Sequence, residues 1–264
     1  TSRELKRAGL LLFMAALLFL FPFLLGKTFF VGDKTYSFQP WLTYVAQEIQ
    51  AGRFPLWNPY SACGEPMVGN PQLMLFSPPA ILYWFFPFSV ADPLFLFLSQ
   101  SGLFLFTYLL ARNWIGQPAH HHSAAHAPAV LAALAFAWGG YAVGYWEFPS
   151  AIGTLPFLPL FFLLGMGESW AALTAATAMV LGTGYIQFAY YAVFCGLAGT
   201  LHAILTQQRK TMASNITPLV WLTGAVGVGV MMVMAQILPS WESARHSLRA
   251  GMQGTDGKMH LMTP

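Results

Sequence analysis

Long apolar runs alternate along this chain with short polar stretches, and the first of them, "GLLLFMAALLFLFPFLLGKTFF", covers residues 9–30. An α-helix rises about 1.5 Å per residue, so about 20 apolar residues match a hydrocarbon core of roughly 30 Å. Further spans are expected at 93–110, 128–146, 152–164, 171–183, 185–205 and 218–235, which makes about seven in all. Those at 152–164 and 171–183 fall short of full thickness; they extend into their flanks, tilt, or form a re-entrant pair. Pro22 kinks the first span, which a membrane helix tolerates when neighbouring groups satisfy the freed carbonyl. The pattern predicts an all-α polytopic membrane protein, with a transmembrane domain over 1–235 that includes a long first loop at 31–92, and a tail at 236–264.

The loop has its own pattern. Pro40 stands where a helix would start, and Trp41, Leu42, Tyr44, Val45 and Ile49 give an amphipathic stretch ending near Gly52. Such a helix is expected to lie along the membrane interface with its aromatic side down. A dense run of Pro, Asn and Gly follows, which favours a fixed irregular path. Residues 71–88 are apolar again but broken by Pro78 and Pro79, and read as interfacial or partly re-entrant.

Composition agrees with a membrane location. Hydrophobic residues make up 56% of the 264 positions and charged residues 8%, against roughly 25% charged in ordinary globular proteins. A soluble fold of this size has too much surface to cover with so few charges. The net charge of +3 is small, and no nucleic-acid partner is expected. Its placement is informative: Arg3, Lys6 and Arg7 precede the first span, Arg112 follows the second, and Arg209 and Lys210 follow the sixth. With seven spans these clusters all fall on one side, which the positive-inside rule makes cytoplasmic. The N-terminus is then cytoplasmic, and the loop at 31–92 and the C-terminal tail are extracytoplasmic. The first run has basic flanks like a signal peptide, but it lacks an A-x-A site and reads as a retained helix. Cys63 and Cys195 form no CxxC or Cys/His metal spacing. The histidines of "QPAHHHSAAHA" fit a cytoplasmic linker better than a metal tract.

Candidate chemistry concentrates on the outer side. Asp33 directly follows the first span, at headgroup height, and is either an ordinary loop carboxylate, a cap, or a general base. Glu65 sits between Gly64 and Gly69, and Asn58 and Asn70 offer hydrogen bonds to a sugar or phosphate. Glu147, where the third span exits, is the other outward acid. Arg245, His246 and Arg249 in the tail suit a phosphate or anionic headgroups. His202 is either a packed residue or a cofactor ligand.

At the outer loop the chain resembles a known family. "GDKTYSFQPW" and "GRFPLWNPYSACGEPMVGNPQLMLFSPP" are similar to the outer loop of YfhO-like bacterial membrane proteins, of the GT-C glycosyltransferase superfamily. "AQILPSWESARHSLRAG" at 235–251 resembles a later segment of the same proteins. The resemblance implies a GT-C-like helical bundle in the bacterial cytoplasmic (inner) membrane. It implies transfer of a sugar from a polyprenyl-phosphate donor to a cell-envelope glycan, lipid or protein. It maps the essential acid onto Asp33, one motif onto Trp57, Asn58 and Pro59, and another onto Asn70, Pro71 and Gln72. The later motif falls on Gln236, Pro239, Glu242, Ser243 and Arg245. Cys63 and Glu65 depart from the usual small or apolar residues. Family members continue beyond this point, so 236–264 is expected to begin a further region. No cofactor is specified, and Asp33 with Glu242 is the one pairing imaginable for a divalent metal. The alternative function is a non-catalytic membrane subunit of a larger complex that keeps the same scaffold. A transporter is a weaker third option, because the spans carry almost no charge to couple.

Overall fold

A computed structural model describes residues 32–61, 63–116, 125–167, 169–206 and 212–247. The expected span at 9–30, the basic residues at 3, 6, 7, 209 and 210, the histidines at 120–122 and Arg249 lie outside the described residues. The chain is an all-α, multi-helix bundle with the long apolar helices of a multi-pass membrane protein, and a compact platform covers one end.

The platform begins with a π-helical turn, Lys34–Phe38, that runs directly into α1, Gln39–Gln50, with Pro40 in its first turn. Strands β1, Trp57–Asn58, and β2, Glu65–Pro66, form a minimal antiparallel hairpin with Trp57 opposite Pro66 and Asn58 opposite Glu65. Two 3-10 turns, Pro71–Leu73 and Pro78–Ala80, lead into α2, Ile81–Phe85. The apolar side of α1 packs on protein: Leu42 and Val45 are buried, as is Phe38 just before the helix. The apolar stretch at 71–88 does so in part. Leu73 and Leu75 pack with Val45 and Met67 into a core within the platform, while Ile81, Phe85 and Phe86 in the same stretch stay exposed.

Below the platform, α3 spans Phe88–Gly116 and α4 spans His126–Ala137. The latter continues through α5, Gly140–Gly144, and a 3-10 turn, so that residues His126–Glu147 reach membrane-crossing length. Helices α6, Pro149–Thr154, and α7, Phe157–Met166, together reach the length of a crossing over Pro149–Met166. The expected short span at 152–164 has thus extended into its flank. α8, Trp170–Gly182, stays short at 13 residues, about 20 Å of helix. α9, Ile186–Thr206, is a full crossing. α10, Met212–Met232, is followed by α11, Met234–Arg245, and the apolar path bends by 74° between them. The break comes at Val233, which leaves the helical region, so the last apolar run does not continue straight.

Small residues let α7 and α9 approach to backbone contact. A Cβ on Gly165 would overlap the Gly196 carbonyl, one on Gly199 would overlap the Phe162 carbonyl, and Thr200 Oγ1 donates to the Gly165 carbonyl at 3.1 Å. This is how membrane helices gain packing where lipid is as apolar as leucine. The platform is not a loose cap. One continuous core runs from Phe38 and Leu42 through Tyr83 and Phe95 to Leu103 and Ala133 in the bundle.

Candidate active site

Four separate parts of the chain meet at the platform end. Phe38 packs edge-on to Phe148 at 6.1 Å between ring centroids. Gly182, at the end of α8, lies against the Phe76 carbonyl, and Gly184 in the following turn lies against that of Pro71. Gln236 in α11 donates from Nε2 to the Val68 carbonyl at 2.8 Å. Gly69 is pressed between Ser243 and the Pro239 carbonyl. The two sequence motifs that carry the resemblance therefore touch in space, although Val68 and Gln236 are 168 positions apart.

Asp33 is exposed at the head of the π-helical turn, and its carboxylate makes no hydrogen bond or ion pair among the described residues. Its neighbour behaves in the opposite way. Lys34 is 1% exposed, and its ammonium meets Asp92 Oδ2 at 2.8 Å. Tyr83 donates its hydroxyl to the other oxygen, Asp92 Oδ1, at 3.0 Å. Burial first, and the Asp92 charge second, push the Tyr83 phenol well above its ordinary range, so it remains a donor. This buried triad fixes the start of α1 to the start of α3. Sequence reasoning missed it; the available signal was a lysine and an aspartate, each at the edge of an apolar run, where unpaired charges are costly.

Glu147 reaches Gly32, the residue before Asp33. Its Oε2 lies where a Cβ on Gly32 would be, and Gly32 has a φ of +52° that favours glycine in any case. The Glu147 carboxylate thus meets the chain one residue before Asp33.

The remaining candidates divide between structural and open positions. Asn58 is 3% exposed, and its Oδ1 accepts from the Tyr60 N–H at 3.0 Å, closing a turn in the hairpin. Trp57 is half exposed, with its indole over Gly64. Glu65 Oε1 accepts from Asn70 Nδ2 at 3.2 Å, while Asn70 Oδ1 caps the Gln72 N–H at 3.1 Å. Asn70 is therefore occupied within the fold, and Gln72 contributes its backbone to that cap. Gln236 is 2% exposed and leaves Oε1 without a hydrogen-bond partner among the described residues. Glu242, Arg245 and His246 are exposed on or just after α11. No hydrogen bond or ion pair joins them to Asp33 among the described residues, nor do three or more His, Cys, Asp or Glu residues cluster there to hold a metal. The imagined Asp33–Glu242 metal pair gains no further ligand from the geometry. His202 lies far from this end, stacked on Trp114 at 4.4 Å between centroids, as a packed residue.

A groove of about 760 Å³ opens between the first helical turns and the hairpin, starting at Thr35, two residues beyond Asp33. Tyr44 ties its two walls together by donating to the Trp57 carbonyl at 2.8 Å. Burial, and then the nearby Glu48 carboxylate, push the Tyr44 phenol up, keeping it protonated. Comparison of the chain with protein-family profiles, with curated proteins and with solved structures gives no match in any of the three.

Proposed function

We propose that this chain is a membrane glycosyltransferase of the GT-C type. It moves a sugar from a polyprenyl-phosphate donor to a cell-envelope acceptor on the outer face of a bacterial cytoplasmic membrane. On this reading the platform end is extracytoplasmic, in keeping with Arg112 near the far end of α3. The observation that carries the proposal is the condition of Asp33. It is exposed and unpaired among the described residues, while the positive charge next to it is consumed by Asp92. A carboxylate in that condition is free to accept a proton, provided that the donor oxygen comes within about 2.6–3.2 Å.

The acceptor oxygen forms a bond to the anomeric carbon while the bond from that carbon to the phosphate oxygen breaks. The hydroxyl proton passes to Asp33, and the electron pair of the broken bond leaves on the lipid phosphate. That phosphate gains charge and needs cations more than a proton. Arg245 and His246, exposed at the end of α11, are assigned to it, together with Arg249 beyond the described residues; arginine's planar fork suits phosphate oxygens. Glu147 acts as a positioning residue through its contact with Gly32. Met231, Met232 and Leu238, exposed on both sides of the bend, offer the prenyl chain an apolar track.

The test is Asp33→Asn in proteoliposomes supplied with a labelled polyprenyl-phosphate sugar. Transfer is expected to fall by about 10² or more, with the melting temperature unchanged. Transfer at the wild-type rate would remove Asp33 from this role. One observation favours the alternative, a non-catalytic membrane subunit: the α11 cations have no described contact with Asp33. That reading predicts no transfer by the wild-type protein and copurification with a large membrane complex.

A further inference from the structure

The groove beside Asp33 has a composition that selects among acceptors. Its volume of about 760 Å³ is in the range of ligand sites, roughly 300–1,000 Å³. None of its lining residues is charged. Thr35, Gln39, Thr43 and Gln47 recur every fourth residue along its floor, so a row of hydroxyls and amides runs along one helical face. At an α-helical rise the part of the row from Gln39 to Gln47 is by itself roughly 12 Å long, longer than one sugar ring. Each of these side chains can both donate and accept hydrogen bonds.

The flanks supply aromatic faces. Tyr36 is 84% exposed and Tyr60 is 87% exposed, and Tyr60 is held edge-on to Tyr44 at 6.0 Å between centroids. Tyrosine offers an apolar face and a polar tip at low entropic cost, which matches the alternation of C–H faces and hydroxyl edges on a pyranose. Of the charges nearby, Arg53 and Glu48 neutralise each other through two hydrogen bonds, of 2.7 and 2.9 Å, which leaves the Asp33 carboxylate, and no cation, beside the groove.

We infer that this groove binds a neutral oligosaccharide chain lying along the Thr35–Gln47 row, with Tyr36 and Tyr60 stacking on its sugar rings. Calling that chain the acceptor rests on the sugar-transfer reading; the binding itself does not. A phosphate-rich polymer is disfavoured because no cation lines the groove, and phosphate recognition draws on arginine and lysine. An extended peptide would want a free strand edge, and strands of two residues supply little of one.

The experiment titrates the detergent-solubilised protein with three probes: N-acetylated chitotetraose, a glycerol-phosphate oligomer and tetra-alanine. Intrinsic tryptophan emission reports binding, because Trp41 lines the groove. Saturable binding of chitotetraose is expected, weakened roughly tenfold or more by Tyr36→Ala with Tyr60→Ala. Both rings are almost fully exposed, so their removal leaves the fold intact. No saturable chitotetraose binding, equal binding of either other probe, or binding indifferent to the tyrosine pair overturns the inference. Asp33→Asn separates the two proposals. If chitotetraose binds and Asp33→Asn still transfers sugar, the catalytic reading fails and the groove stands. If Asp33→Asn abolishes transfer but no glycan binds, the groove fails alone.

Discussion

Removing one member of the Lys34–Asp92 pair should destabilise the protein far more than removing both. Lys34 is 1% exposed and both carboxylate oxygens of Asp92 are engaged, one by the ammonium at 2.8 Å and one by Tyr83 at 3.0 Å. Asp92→Leu leaves a buried ammonium without a counter-charge. Lys34→Met leaves a buried carboxylate with a single phenol donor. Breaking a buried pair in this way costs about 3–5 kcal/mol, whereas replacing both partners by apolar residues of similar volume is often close to neutral. For a chain of this size that single-variant cost corresponds to a melting temperature lower by about 10 °C. The assay is thermal unfolding in detergent, followed by intrinsic fluorescence and by recovery of a monodisperse peak after heating. Both single variants should melt early, and Lys34→Met/Asp92→Leu should recover most of the loss. The reasoning is refuted if the singles melt with the wild type, or if the double variant is as unstable as the sum of the two.

Two further outcomes are expected. Gln236→Leu removes the donor to the Val68 carbonyl and leaves that acceptor unsatisfied, a cost of about 1–3 kcal/mol; limited proteolysis should then cut more readily near residues 67–72 than in wild type. The Glu48–Arg53 pair gives a weak pH dependence. Arg53 hydrogen bonding holds the Glu48 carboxyl below its ordinary value of 4.5, so the pair's contribution is present above that value and disappears as pH falls through the lower folded value. Because Arg53 is largely exposed, Arg53→Ala should lower the melting temperature only slightly at pH 7 and not at all once Glu48 is protonated in both states.

The helices of the bundle were legible wherever an apolar run was long, because length against bilayer thickness is a strong constraint. α1 was legible from Pro40 and its spacing of apolar residues, but the partner of its apolar face was not. Lipid and a protein core look the same from one helix, and the packing partners of Val45 lie at Met67, Leu73 and Leu75. The hairpin escaped because two-residue strands carry no alternation to detect. Asp33 and Lys34, adjacent in sequence, offered no clue that one would be exposed and the other buried. That difference depends on Asp92, which is 58 residues from Lys34. The 74° bend at Val233 was hidden as well, since no proline or glycine marks the position and the apolar run passes straight through it. Asp33 and Glu147 were each visible as acids, but the contact of the Glu147 carboxylate with Gly32, which is in a left-handed conformation beside Asp33, was not.

The contact between α7 and α9 also bears on which parts of the bundle can move independently. Where Gly165 and Gly199 sit directly on carbonyls of the opposing helix, the two backbones interlock with no side chain between them. A side chain at either position would pry the pair apart, so this seam admits nothing larger than glycine there, and any motion of the bundle has to carry α7 and α9 together.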